Sequence, residues 1–289
     1  MEKVALPREE KFKVEDTVRS TVYGWQLPSP AKFEPYIVAG IDYAHYCLPY
    51  TPPDFQVLVA LYSVCTISCD DSLVTPFERQ TFVEQLYAGQ PQWHPLLSRL
   101  LEVATKLREH FSVFGGNAIC SGTLEYLNAM NLDAIDSEQR ARAQSGAAKS
   151  MDYLRCKDGT CEPYALFVWP QSLFPDFLHS LRAILDAMTV IALVNDLLSF
   201  HKEEQSGETN NYVHQYSRAH TKSIPEALRC ITDEMVGCVN EVRRLLGAGP
   251  ERDAWDAYVL GYVRFHIYTP LYKLEDIVPE FFCGPTEAS

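Results

Sequence analysis

Positive charge is in short supply in this chain. Its 289 residues hold 25 Lys and Arg against 38 Asp and Glu, a formal net charge of −13 at pH 7. A partner with a phosphate backbone needs a basic surface, so this balance argues against nucleic acid. An anionic substrate would need metal ions to carry it in. Long apolar runs are also missing: none reaches 18 residues without a polar interruption, so no membrane span is expected. The N-terminal stretch has charged residues where a signal peptide has its apolar core. Nine cysteines form no tight framework and have no histidine partners at zinc-finger spacing. Cys65 and Cys69 are one helical turn apart, and Cys156 and Cys161 flank four residues. Reduced thiols in a cytoplasmic protein are the expectation. There is no repeat, no parallel-sheet signature and no internal linker.

Apolar and aromatic side chains are plentiful. The sequence is 47% hydrophobic, with 16 Tyr, 14 Phe and 4 Trp. That suits a large core and an apolar pocket equally well. The apolar spacing reads as helix throughout. Residues 1–30 are charged and then punctuated by Pro28 and Pro30, and read as an arm. Periodicity begins near Ala31 and runs to Cys47, and after a proline-rich loop Asp54 is the expected N-cap of a central helix over 55–69. Further helices are expected at 77–88, 95–111, 113–130, 163–169, 176–204, 223–246 and 251–268, the last stopped by Pro270. Residues 133–148 are polar and small, either a helix end or a loop. Residues 205–211 are a polar loop directly after the helix over 176–204, either an ordinary connector or a segment that orders over a bound ligand. The fold class is all-α, one domain over 1–289.

Two stretches carry chemistry. The apolar helix over 55–69 runs into Asp70-Asp71-Ser72. Two carboxylates at the end of a buried helix are costly unless something positive meets them, and a helix C-terminus is the wrong pole for an anion. The bland alternative is a solvated pair capping the next helix. In the second stretch Asn195, Ser199 and Glu203 recur at i, i+4 and i+8, within roughly 80° of one another and over about 12 Å of helix axis. Amide oxygen, hydroxyl and carboxylate form an oxygen-only set of the kind hard divalent ions take, though such triplets also occur on solvated faces. Lys202 beside them can meet a phosphate oxygen.

These two stretches, with Tyr153-Leu-Arg155, the Leu86-to-Pro95 segment and the Gly261-to-His266 segment, resemble the class I terpene cyclases, most closely the fungal trichodiene synthase-like group. The resemblance spans roughly residues 50–278. It implies a helical bundle, three Mg²⁺ ions, an isoprenyl diphosphate substrate (usually farnesyl diphosphate) and, in some members, a homodimer. Carried over residue by residue, it implies that Asp70, Asp71, Asn195, Ser199 and Glu203 bind metal. Arg155 and Lys202 would contact diphosphate. Tyr272 stands for the tyrosine of a C-terminal Arg-Tyr pair, with Lys273 next to it. Tyr62, Cys69 and Trp169 are candidates for the pocket wall, though residues of these types more often serve ordinary core packing.

The chain departs from that pattern in two places. Leu73 and Val74 stand where the aspartate motif often carries further charge, and Leu271 replaces the arginine of the Arg-Tyr pair. The expected function is Mg²⁺-dependent ionisation of farnesyl diphosphate followed by cyclisation. Two alternatives stay open: capture of the allylic cation by a second substrate such as an amine, and a non-catalytic isoprenoid-binding protein on the same scaffold.

Overall fold

The computed structural model describes residues 8–71, 73–134 and 148–282. All regular structure among them is helical. The segment read as an arm carries α1 (Arg8–Gly24), whose Val14, Val18 and Val22 recur every four residues and are buried. Charge on the other positions of this helix masks its apolar stripe. A 3₁₀ turn at Pro30–Phe33 leads into α2 (Glu34–Cys47).

α3 (Pro53–Asp70) is the central helix expected from the sequence, but Pro52 is its N-cap and Asp54 lies within the first turn. Twelve of its residues are buried, so it packs on nearly every face, with α2, α6 (Pro95–Arg108) and α1 against it. Two of its buried hydroxyls bond back within the helix. The Thr66 hydroxyl donates to the Tyr62 carbonyl at 3.1 Å, and Ser68 to the Val64 carbonyl at 2.6 Å. The region 77–88 divides into α4 (Pro76–Gln80) and α5 (Phe82–Tyr87). α7 (Val113–Ala129) packs on α6. Residues 135–147, most of the stretch left open in sequence, lie outside the described residues, as does Ser72.

α8 (Ala148–Asp158) and α9 (Cys161–Phe167) are separated by Gly159 and Thr160, the latter in the left-handed conformation at φ 47°. The long helix expected at 176–204 is two: α10 (Phe177–Leu181) and α11 (Ile184–Ser206). α11 is long and apolar enough to cross a membrane by length and composition. Here it packs inside the bundle, against α13 (Ile224–Leu246), α9 and α14 (Pro250–Tyr268). α12 (Tyr212–Ala219) lies on α13. α14 closes the bundle by packing on α2 as well as α11, and Gly261 permits the approach: a Cβ there would come within 1.9 Å of the Tyr46 carbonyl oxygen.

The end of α11 is fixed by a reverse-handed cap. Gly207 sits at φ 78°, its N–H donates to the Glu204 carbonyl at 3.1 Å, and the Glu208 N–H reaches the Glu203 carbonyl at 2.9 Å. This pair of bonds holds the last turn, and with it the backbone of Glu203.

Candidate active site

Helices α2, α3, α7, α8, α9, α11 and α14 surround a cavity open at one end. It has an inner chamber of about 150 Å³ and an outer vestibule of about 550 Å³. The C-terminal end of α3 brings Asp70 and Asp71 to one wall. α11 brings Asn195, Ser199, Lys202 and Glu203 to another, and Arg155 enters from α8. The two stretches read from sequence, about 125 residues apart, therefore meet on a single cavity.

Electrostatic strain marks the acidic groups. Asp70 opens to the cavity's solvent yet is ringed by protein. Burial pushes its carboxyl up to about 6, with Asp71 and Asp158 adding repulsion against the pull of Lys202 and Arg155. Burial also raises Glu203, despite the hydroxyl hydrogen bond it accepts from Ser199 and the nearby Lys202. Asp71 interacts with the Tyr36 hydroxyl, whose proton is held up to about 12 by burial and by that carboxylate. These are carboxylates short of positive charge, on an oxygen-only donor set. Among the described residues no three His, Cys, Asp or Glu side chains gather at metal-ligand spacing. The donors form two half-sites on separate walls, and the residues fit hard divalent ions that take other ligands from water or substrate phosphate.

Arg155 is tied into a network. Its Nε donates to Asp196 Oδ2 at 2.9 Å and its Nη1 to Asp158 Oδ1 at 2.9 Å, while Nη2 reaches the Ala192 carbonyl and Asn195 Oδ1, each at 3.3 Å. Burial by itself would lower the guanidinium pKa, but Asp196 and Asp158 outweigh it and hold the proton firmly. Asp196 in turn is pushed up to about 7 by burial, against the pull of Arg155. Gly159 makes room for this arginine: a Cβ there would lie 2.8 Å from Arg155 Nη1.

The Lys202 ammonium lies 5.3 Å from the centre of the Tyr272 ring, a cation–π contact. Tyr272 is buried in a 3₁₀ turn at Pro270–Tyr272, so Lys273 does not continue a helix. It sits in the left-handed conformation, exposed, on the rim of the vestibule. Leu271 lines both chamber and vestibule.

Three expected wall residues lie elsewhere. Tyr62 is fully buried one layer back, its hydroxyl 2.9 Å from Thr123 Oγ1 and its ring edge-on to Tyr164. Trp169 stacks on Trp255 at 6.0 Å and donates its indole N–H to the Glu251 carbonyl at 2.9 Å, in the core. Cys69 is wholly buried, and its thiol is pushed up to about 12 by burial. The aromatic wall is instead made by Tyr43, Tyr126, Tyr164, Tyr262 and Phe265. Sequence reasoning assigned no role to these or to Asp158, Asp196 and His266, although Tyr262, Phe265 and His266 fall in the Gly261-to-His266 segment that carries the resemblance. The i, i+3 spacing of Tyr262 and Phe265 on the last long helix is the one periodic signal pointing to any of them.

A half-open bundle with an acidic pair facing an Asn/Ser/Glu helix over an aromatic chamber defines a class I terpene cyclase. In fold the chain is similar to linalool/nerolidol synthase from Streptomyces clavuligerus, with a TM-score of 0.64 and 16% identity over 89% of this chain and 98% of that one. The trichodiene synthase family profile matches residues 28–281. Terpene synthase 29 of Postia placenta is 30% identical over 276 residues, 94% of this chain and 80% of that protein. Monoterpene synthase 25 of the same organism is 34% identical over 226 residues, 77% of this chain and 67% of that protein. The chain belongs to the trichodiene synthase family of terpene cyclases.

Proposed function

We propose that this chain ionises an allylic isoprenyl diphosphate, farnesyl diphosphate first among them, in an Mg²⁺-dependent reaction and cyclises the resulting cation. The observation that carries the reading is the convergence of both half-sites on one cavity whose far end is aromatic. Asp70 and Asp71 on one wall, and Asn195, Ser199 and Glu203 on the other, are the groups that would hold the ions. Bound Mg²⁺ supplies electrophilic stabilisation of the departing diphosphate.

The chain's own residues do the rest. Arg155 and Lys202 offer fixed donors to diphosphate oxygens at the boundary between vestibule and chamber. Tyr272 holds the Lys202 ammonium in place. Tyr43, Tyr164, Tyr262 and Phe265 present ring faces and edges that stabilise positive charge on the chain and exclude water while it folds. Tyr43 and Tyr258 share a hydrogen bond at 2.7 Å, which fixes the chamber floor.

The test is diphosphate release from farnesyl and geranyl diphosphates with and without Mg²⁺, with volatile products analysed in parallel. Mg²⁺-dependent release with a cyclic product supports the reading. Asn195→Ala and Glu203→Ala should each lower release by on the order of 10²-fold while leaving the fold intact. Parent-like release from both variants would defeat the assignment.

A further inference from the structure

His266 is buried completely, one turn beyond Tyr262 on α14, and lies behind the cavity wall. Its two ring nitrogens have different neighbours. Nδ1 is 2.8 Å from the Tyr262 carbonyl oxygen, and a carbonyl only accepts, so Nδ1 carries a proton. Nε2 is 3.4 Å from the Asn195 side-chain nitrogen, a long but directed contact.

Which end of the Asn195 amide faces the ring follows from its other neighbour. Arg155 Nη2 lies 3.3 Å from the opposite end of the amide, and a guanidinium only donates, so that end is oxygen. The end toward His266 is then the NH₂ group, and Nε2 must be bare to accept from it. The same ring packs 4.3 Å from the Tyr272 ring that holds Lys202.

We infer that His266 is a positioning residue: its unprotonated Nε2 fixes the Asn195 amide so that Oδ1, and not the NH₂ group, is presented to the cavity. Only the oxygen can ligate a cation, so a free amide would spend part of its time with a donor where a ligand is needed. Through Tyr272 the same imidazole also supports the lysine on the diphosphate side. This inference rests on the metal reading of Asn195 proposed above.

The test pairs two variants of the full chain and reads binding of Mn²⁺ with inorganic diphosphate by calorimetry, alongside melting temperature. In His266→Gln the amide oxygen reaches the Nε2 position and preserves the acceptor. In His266→Asn the shorter amide keeps a donor near the Tyr262 carbonyl and drops the acceptor. The Gln variant should bind within about threefold of the parent and the Asn variant at least ~10-fold more weakly. In an Asn195→Ala background the two should become equal, because the effect passes through Asn195. Parent-like binding by the Asn variant overturns the inference, as does equal weakening in both folded variants. Loss of the fold in both overturns it too, leaving His266 a packing residue. If the parent itself binds no Mn²⁺ with diphosphate, the metal reading has failed rather than the role of the histidine.

Discussion

Lys202 and Tyr272, 70 residues apart in sequence, meet with the ammonium 5.3 Å from the centre of the phenol ring. The ring face holds the ammonium at the cavity, near Asp70 and Glu203, where it can meet a phosphate. Tyr272→Phe keeps the ring face and should leave the KM for the diphosphate substrate close to that of the parent. Tyr272→Leu removes the face, worth about 0.5–2 kcal/mol, and should raise KM by roughly 2–30-fold. Steady-state kinetics of the two variants distinguish a ring-face role from a hydroxyl role.

Asp196 and Arg155 pair at 2.9 Å, and without Asp196 the arginine keeps only the more exposed Asp158 as a carboxylate partner. Asp196→Ala should destabilise the fold by about 1.5–3 kcal/mol, the loss of a hydrogen bond to a charged group. Replacing both groups with apolar side chains, Arg155→Met with Asp196→Leu, should recover most of that stability while diphosphate release stays low. Denaturant titration of the single and double variants decides the matter, and an additive loss in the double would contradict it.

Asp70 gives the metal-free protein a pH signature. Its carboxyl keeps a proton up to about 6 when folded, against an ordinary value of 3.8. Between those values the unfolded chain has released a proton that the folded chain retains, so this group's contribution to stability falls as pH rises. Asp70→Asn removes that dependence. Its melting temperature relative to the parent should rise by about 2–4 °C from pH 4 to pH 7. Added Mg²⁺ with inorganic diphosphate should close the gap by supplying the missing positive charge. A difference that does not vary with pH would contradict the burial argument.

Leu271 lines both the chamber and the vestibule and is only partly buried, so an arginine there has somewhere to go. Leu271→Arg should fold like the parent and bind inorganic diphosphate more tightly, by about tenfold for one charge-assisted hydrogen-bonded contact. The gain should shrink with added salt. Isothermal titration at two ionic strengths reads both effects. An insoluble or unfolded variant would show that the leucine is needed as core.

The all-α class and the central helices were legible because long apolar segments with helical spacing can be buried on most faces only inside a bundle. α1 was harder to read: Glu9, Glu10, Lys11 and Lys13 surround its valines and give the segment the composition of a solvated arm. The breaks inside 77–88 and 176–204 lack a glycine or interior proline to announce them.

Sequence alone determined the chemistry available at the site. Spacing along one helix puts Asn195, Ser199 and Glu203 on one face whatever surrounds them, and Asp70 with Asp71 must end the apolar helix that precedes them. Those are local consequences of helix geometry. Tertiary structure decided what those residues face. Tyr62 and Trp169 have the same residue types as Tyr164 and Tyr262 or their close kin, yet only the latter pair lines the cavity, because crossing helices select one face of each. The orientation of the Asn195 amide depends on Arg155 and His266, 40 residues before it and 71 after it. Contacts over that range arise from packing, and no periodicity in the chain encodes them.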